Sequence, residues 1–354
     1  MSLPVTQPAI TATQDGSLAV SFDAPVPTLD PDMILVRNAA VSVNPVDTKL
    51  DGPYSTPGAI SGCDFAGTVV AVGSAVSHRR HVGERVCGAV MGMNPLEPAV
   101  GAFATYVGAS GDLVLAVPDG VTFETASALP TVFNTSGLAL FKSLGLHTTP
   151  SNPAEKPFPV LVYGGSTATG TAAIQLLKLS GLDPVVTCSP HNFDLVKSYG
   201  AIAAFDYRSG TCAADIRAFT KNSLRYVLDC ITTQESIKLC YAAIGRAGGK
   251  YTALDPYPEA VAKTRRVVVA DWVLGPTMLG KDIAWPAPHG RKGSDDFRKF
   301  GEEWTNVLQR LFDEGKIKSH PLKVIKGDFH DVRQGMETVK AGKVSGVKLV
   351  YSLI

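Results

Sequence analysis

The six cysteines of this 354-residue chain, Cys63, Cys87, Cys188, Cys212, Cys230 and Cys240, are scattered and form no C-x-x-C pair. That scatter excludes a disulfide scaffold and a cysteine-clustered zinc site, and it reads as reduced thiols in a cytoplasmic protein. His78 with His81 in HRRHVGERV is the nearest metal-like pair, but the stretch is a loop running into a strand. No apolar run approaches the roughly 20 residues that cross a bilayer, so no membrane segment is expected. The opening stretch MSLPVTQPAITATQDG lacks a basic region followed by an apolar core and does not read as a signal peptide. An excess of one charge is missing too. With 33 Lys and Arg against 32 Asp and Glu, the formal net charge of +1 argues against nucleic acid as the main partner.

What is present suffices for two cores, because 45% of the residues are hydrophobic and 18% are charged. Short runs at 33–39, 65–72, 85–90 and 113–117 are rich in Val, Ile, Leu and Phe and are separated by Gly, Pro, Asn and Asp. They predict a small barrel-like β domain. Beyond the connection TTPSNPAEKPFP, strands at 160–163, 185–188, 226–230 and 250–254 alternate with helices at 172–180, 193–199 and 235–244. Short links between strand and helix imply parallel pairing in a doubly wound α/β sheet. After WPAPHGRKGS come one amphipathic helix around 303–314 and a last strand at 347–351. That segment is too short to stand alone and should fold back on the first domain. The apolar run 267–273 suits an edge strand, either paired across a dimer or covered within a monomer.

The stretch YGGSTATG, 163–170, joins the first strand of the second region to its helix. A phosphate-binding turn needs a tight bend, outward N–H groups and a helix N-terminus. Gly164 and Gly165 supply the bend, and Gly170 lets the helix pack closely. Ser166, Thr167 and Thr169 carry hydroxyls able to bind pyrophosphate or to cap the helix, so a plain capped turn is the competing reading. Folds specific for NAD commonly place a carboxylate after the second strand. Here Ser189, Pro190, His191 and Asn192 follow it instead. Those donors suit a 2′-phosphate, and Tyr207 with Arg208 could close over that phosphate or the adenine. NADPH is therefore the expected cofactor. On the plainer reading, Ser189 and Pro190 merely start the next helix.

VSVNPVDTK (42–49), GCDFAGTVVAVGS (62–74), VGERV (82–86), GAFATYV (101–107) and ETASALP (124–130) together resemble the medium-chain dehydrogenase/reductase superfamily from end to end. Cys63 stands where metal-dependent relatives carry a ligating His, which is similar to the zinc-independent branch. The blocks 161–181, 187–201, 225–232 and 242–251 resemble the trans-acting enoyl reductases of fungal polyketide synthases. The resemblance implies a chaperonin-10-like catalytic domain, 1–137 and 284–354, around a doubly wound Rossmann domain, 138–283. It implies NADPH in a cleft, touched by Val46, Asp47, Thr48, Lys49, Ser166, Thr167, Ala168, Thr169, Ser189, Pro190, His191, Asn192, Tyr207, Leu254, Asp255, Val344 and Ser345. Related quinone reductases often carry Lys where Asn192 stands, so one charge–phosphate contact must be replaced or lost.

The chemistry implied is hydride delivery to the β-carbon of an α,β-unsaturated thioester, with negative charge developing on the thioester oxygen. Asn44, Lys49 and Thr135 are the candidate catalytic groups. Lys49 could polarise the carbonyl, bind the cofactor or steer a carrier domain, and Asp47 could be a turn cap or a base. An apolar acyl tunnel is implied at Thr135, Ser136, Gly137, Leu138, Ala139, Leu140 and Phe141, and at Leu274, Gly275, Pro276, Thr277 and Met278. Periodicity alone makes both segments ordinary core. The implied partner is an iterative polyketide synthase, or a synthase–peptide synthetase hybrid, without an active enoyl reductase of its own. It would be met through its acyl carrier domain by a monomer of this chain, with the basic pairs Arg79-Arg80, Arg265-Arg266 and Arg291-Lys292 available for docking. A free-standing quinone or enone oxidoreductase, or a non-catalytic NADPH-binding scaffold, are the competing functions.

Overall fold

The computed structural model describes residues 3–77 and 80–353, so His78 and Arg79 lie outside the described residues. The chain divides into two compact units, residues 1–131 with 276–354, and residues 132–275. Both borders differ by a few residues from the division expected at 137/138 and 283/284. No composition break marks either one.

The first unit opens with β1 (Thr6–Ala12), β2 (Leu18–Pro25), β3 (Met33–Ser42), β4 (Asp64–Val72), β5 (Arg85–Ala89), β6 (Tyr106–Ser110) and β7 (Leu115–Ala116). Strand β3 reads MILVRNAAVS and is buried at every position except Arg37, which a strand covered on both faces requires. Its Ile34, Val36 and Val41 pack with Phe65, Val86 and Phe103 in the core. The run expected as a strand at 113–117 is mostly not one, because a 3-10 turn occupies Gly111–Leu113. Helix α1 (Phe123–Ser127) starts at Thr122, whose hydroxyl accepts from Thr125 N–H, and α2 (Pro130–Gly137) follows.

In the second unit the strands are β8 (Pro159–Tyr163), β9 (Asp183–Thr187), β10 (Ala203–Phe205), β11 (Tyr226–Asp229), β12 (Gly249–Ala253) and β13 (Val268–Trp272). They form one parallel sheet in the order β10-β9-β8-β11-β12-β13. Helices α3 (Ala168–Leu179), α4 (Phe193–Ser198), α5 (Cys212–Phe219), α6 (Gln234–Ala243) and α7 (Glu259–Ala262) follow strands of this sheet. The strand order reverses between β8 and β11, which is where doubly wound sheets bind ligands. Strand β13 closes one edge, with Val267 and Val269 more than half exposed.

The chain then returns to the first unit with α8 (Asp295–Asp313), β14 (Leu322–Lys326), α9 (Phe329–Lys340) and β15 (Lys348–Ser352). Two long helices stand where one was expected. Helix α9 escaped the pattern reading, although Asp328 caps it by accepting from His330 and Asp331 N–H. Strand β15 pairs antiparallel with β3 and parallel with β14, in a sheet ordered β14-β15-β3-β4-β5-β7 with β6 also on β3. The C-terminal segment thus completes the first core, as its length required.

Candidate functional site: a dinucleotide loop and a buried polar cluster

The loop after β8 sits at the strand-order reversal. Gly164 has φ +79°, a region that favours glycine. A Cβ on Gly165 would lie 2.8 Å from Val186 Cβ, and one on Gly170 only 2.4 Å from the Gly164 carbonyl oxygen. Glycine here is imposed by packing of loop, helix and neighbouring strand. The N–H groups of Gly164 and Gly165 both donate to the Thr187 carbonyl, at 3.1 and 2.9 Å, so they face the sheet. Thr167 is the N-cap of α3: its hydroxyl accepts from Gly170 N–H at 2.9 Å and donates to Gly164 O at 2.8 Å.

Of the three loop hydroxyls, the one at Thr167 therefore shapes the turn. Those of Ser166 and Thr169 have no hydrogen-bond partner among the described residues. The N–H groups of Ala168 and Thr169 open α3, where no intrahelical acceptor exists. Two backbone donors, two hydroxyls and a helix N-terminus are what a pyrophosphate needs, so the residues present fit a dinucleotide. Ser136, buried on α2, donates to the Thr169 carbonyl at 3.1 Å and to Val132 O at 2.7 Å, which ties α2 to this loop.

Past β9, Ser189 stands at the N-cap position of a 3-10 turn, Pro190–Asn192, whose Asn192 N–H donates to Ser189 O at 2.9 Å. The turn starts a helix, as the plainer reading held, yet all four residues keep some exposure. Strand β10 runs beside β9 with Phe205 opposite Thr187, so Tyr207 leaves the same edge as Ser189. The Tyr207 ring lies 6.0 Å from that of Tyr163, and the Arg208 guanidinium lies 5.3 Å over Tyr207. Sequence reasoning passed over Asp206, whose carboxylate accepts Arg208 N–H at 3.0 Å on this edge.

Beyond β11, Asp229 is fully buried and accepts from Ile231 N–H, Thr232 N–H, the Ser236 hydroxyl and the Tyr251 hydroxyl. It holds Thr232 at φ +58°, a costly conformation for a β-branched residue. The Thr232 hydroxyl in turn accepts Leu254 N–H at 3.3 Å, which anchors the segment carrying Leu254 and Asp255. Neither Asp229 nor Thr232 carries a motif. RYVLDCIT was the only signal.

In the first unit, a 3-10 turn spans Pro45–Thr48. Asp47 is fully buried and its Oδ2 accepts Asn44 N–H at 2.7 Å, so the turn-cap reading describes its hydrogen bonding. Lys49 is exposed and closes the turn with its N–H on Val46 O at 3.0 Å. Asn44 is 3% exposed and both ends of its amide are engaged: Nδ2 donates to Asp64 Oδ2 at 2.8 Å and Oδ1 accepts from Lys348 Nζ at 2.5 Å. Asn44 is thus a frame for the turn. The Cys63 thiol is raised well above its ordinary value by burial and then by the nearby Asp47 carboxyl. No group of three or more His, Cys, Asp or Glu able to hold a metal occurs among the described residues.

Burial raises Asp47 from its ordinary 3.8 to about 6. A carboxyl raised on folding binds its proton more tightly in the folded state, so stability is lost as pH rises through that window. Between pH 4 and pH 7 the loss attributable to Asp47 is about 2 kcal/mol. Asp47→Asn, which keeps an acceptor for Asn44 N–H, should flatten that slope in urea unfolding. An unchanged slope in the variant would assign the titration elsewhere.

The tunnel residues divide between the units. In the second, Ser136, Gly137, Leu138, Ala139 and Leu140 are buried core, whereas Thr135 and Phe141 are partly exposed. Thr135 Oγ1 lies 3.9 Å from where a Cβ on Gly275 would stand, which brings two of the implied wall residues together. Leu274 is partly exposed, as are Pro276 and Thr277 in the first unit, while Met278 is buried. Val344 and Ser345 lie in the loop before β15 and keep some exposure. The docking cations are mostly engaged internally. Arg80 pairs with Glu84 and bonds two carbonyls, Arg265 bonds the carbonyls of Tyr241, Ile244 and Gly245, and Lys292 pairs with Asp282.

A parallel sheet with this loop and a second unit of this β topology in one chain define a medium-chain dehydrogenase/reductase. The model of the alcohol dehydrogenase GroES-like domain matches residues 30–119, and that of the zinc-binding dehydrogenase domain residues 168–255. The trans-enoyl reductase mpsG of Macrophomina phaseolina is 60% identical over 354 residues, covering 99% of both chains. A trans-enoyl reductase of Gibberella fujikuroi is 54% identical over 348 residues, 98% of each. The crystal structure of CurK enoyl reductase superposes with a TM-score of 0.78 at 19% identity, covering 98% of this chain and 99% of that one, a likeness of fold. The chain belongs to the trans-enoyl reductase family of the medium-chain dehydrogenase/reductases.

Proposed function

We propose that the protein is an NADPH-dependent enoyl reductase that acts in trans on carrier-bound polyketide thioesters. The observation that carries this is 60% identity over 99% of the chain to a protein named a trans-enoyl reductase. NADPH, when bound, supplies the hydride for the β-carbon. Ala168 and Thr169 N–H and the hydroxyls of Ser166 and Thr169 hold its pyrophosphate. Ser189, His191, Asn192 and Tyr207 meet the 2′-phosphate, and the absence of a carboxylate directly after β9 favours that phosphate. Val46, Thr48, Lys49, Leu254, Asp255, Val344 and Ser345 complete the contacts. The Lys49 ammonium steadies the negative charge on the thioester oxygen, with the Thr135 hydroxyl as the other donor. Thr135, Phe141 and Leu274 to Thr277 are the proposed acyl wall, since they combine apolar character with exposure.

The partner is an iterative polyketide synthase, or a synthase–peptide synthetase hybrid, whose acyl carrier domain presents the substrate. The protein works as a cytoplasmic monomer. Among the described residues no helix is long and apolar enough to cross a membrane. Asp271 places a charge on edge strand β13, which discourages strand pairing between copies, and light scattering would test this.

Turnover of a butenoyl thioester beside a simple quinone, each with NADPH and NADH, tests the reading. Reduction of the thioester is expected, with NADPH bound at least tenfold more tightly than NADH, about 1.4 kcal/mol. Equal cofactor affinities would overturn the NADPH assignment. Robust turnover of quinone alone would indicate a free-standing oxidoreductase, and no turnover of either a binding scaffold.

A further inference from the structure

Lysine is almost never fully buried unless it is paired. Lys348, the first residue of β15, is 4% exposed. Its Nζ lies 2.5 Å from Asn44 Oδ1 and 3.4 Å from Asp64 Oδ2. Asp64 Oδ2 also accepts Asn44 Nδ2 at 2.8 Å and the Ser42 hydroxyl at 3.0 Å, while Oδ1 accepts Thr131 N–H at 2.8 Å. Ammonium, amide and carboxylate therefore close a ring in which each group touches the other two. His320, also buried, is held to about 4 by burial and then by Lys348, so His320 adds no positive charge beside the ring near neutral pH.

We propose that Lys348 is a positioning residue: it locks the Asn44 amide in one orientation and thereby sets the turn Pro45–Thr48 in the geometry that binds NADPH. Asn44 is the residue from which that turn starts, and it is held from two sides. Its backbone N–H is capped by Asp47, and its side chain is clamped between Lys348 and Asp64. Lys348 also follows Val344 and Ser345 within a few residues, so it joins two segments assigned to the cofactor. This inference rests on the proposed NADPH reading.

The test compares Lys348→Met, Asp64→Asn and the double variant with the unaltered full chain, by NADPH fluorescence titration and thermal unfolding. The unaltered protein must first bind NADPH, and failure there would count against the functional reading rather than against Lys348. Lys348→Met strands the Asp64 carboxylate, so both Tm and NADPH affinity should fall, the affinity by about tenfold or more. The double variant removes the stranded charge and should recover Tm. Its NADPH affinity should stay low, because Asn44 Oδ1 still lacks its donor, and KM for NADPH should rise by a larger factor than kcat falls. Recovery of affinity together with Tm would reduce Lys348 to a structural ion pair and overturn the proposal. If the single variant does not fold, the double variant alone decides.

Discussion

Replacing Lys49 by alanine should lower kcat/KM on a short butenoyl thioester roughly 100-fold, with a comparable loss on the carrier-bound substrate. On the proposed role, the loss of one donor to the developing oxyanion costs about 3 kcal/mol, which sets that magnitude. Lys49 ends a turn that is fixed from within by Asp47 and Asn44, so its backbone position is set before any ligand arrives. Two other outcomes are informative. Loss confined to the carrier-bound substrate would assign Lys49 to docking, and no loss on either would return it to solvated surface.

Gly170→Ala should weaken NADPH binding by roughly 100-fold and destabilise the protein by about 1–3 kcal/mol. The added Cβ would sit 2.4 Å from the Gly164 carbonyl oxygen and 2.8 Å from Gly165 C and Cα, all backbone atoms that no side-chain rotation can move aside. Relief requires the start of α3 to shift away from the loop, and that separates the Ala168 and Thr169 N–H groups from the Ser166 hydroxyl. Gly210→Ala is the control, because a Cβ there meets nothing within 4 Å. Equal NADPH affinity in Gly170→Ala and in the control would show that the loop tolerates the shift.

The strand–helix alternation was legible because hydrophobic period and glycine position are local properties. Val160 to Tyr163, the glycines after it and the apolar run into α3 lie within one window, so the loop could be read before any packing was known. Strand β10, which places Tyr207 beside Ser189, had no such local signal and was not read from the sequence. Helix α9 was missed although its cap is local, since its buried Phe329, Val332 and Met336 are spaced among charged residues. The hydroxyls of YGGSTATG read alike in sequence, but Thr167 is used for capping while Ser166 and Thr169 are not.

By itself the sequence determined the class of fold, the glycine turn between β8 and α3 and the lack of a carboxylate directly after β9, because each is written in consecutive residues. Only the tertiary structure decided which polar residues support the site. Asp64 and Lys348 are separated by most of the chain, and Asp229 acts on Leu254 through Thr232. Such groupings arise when β15 joins β3 and when β12 lies beside β11, pairings set by burial of apolar surface over the whole unit. A buried charge needs its partner within a few ångströms of space, and sequence separation places no limit on where that partner comes from.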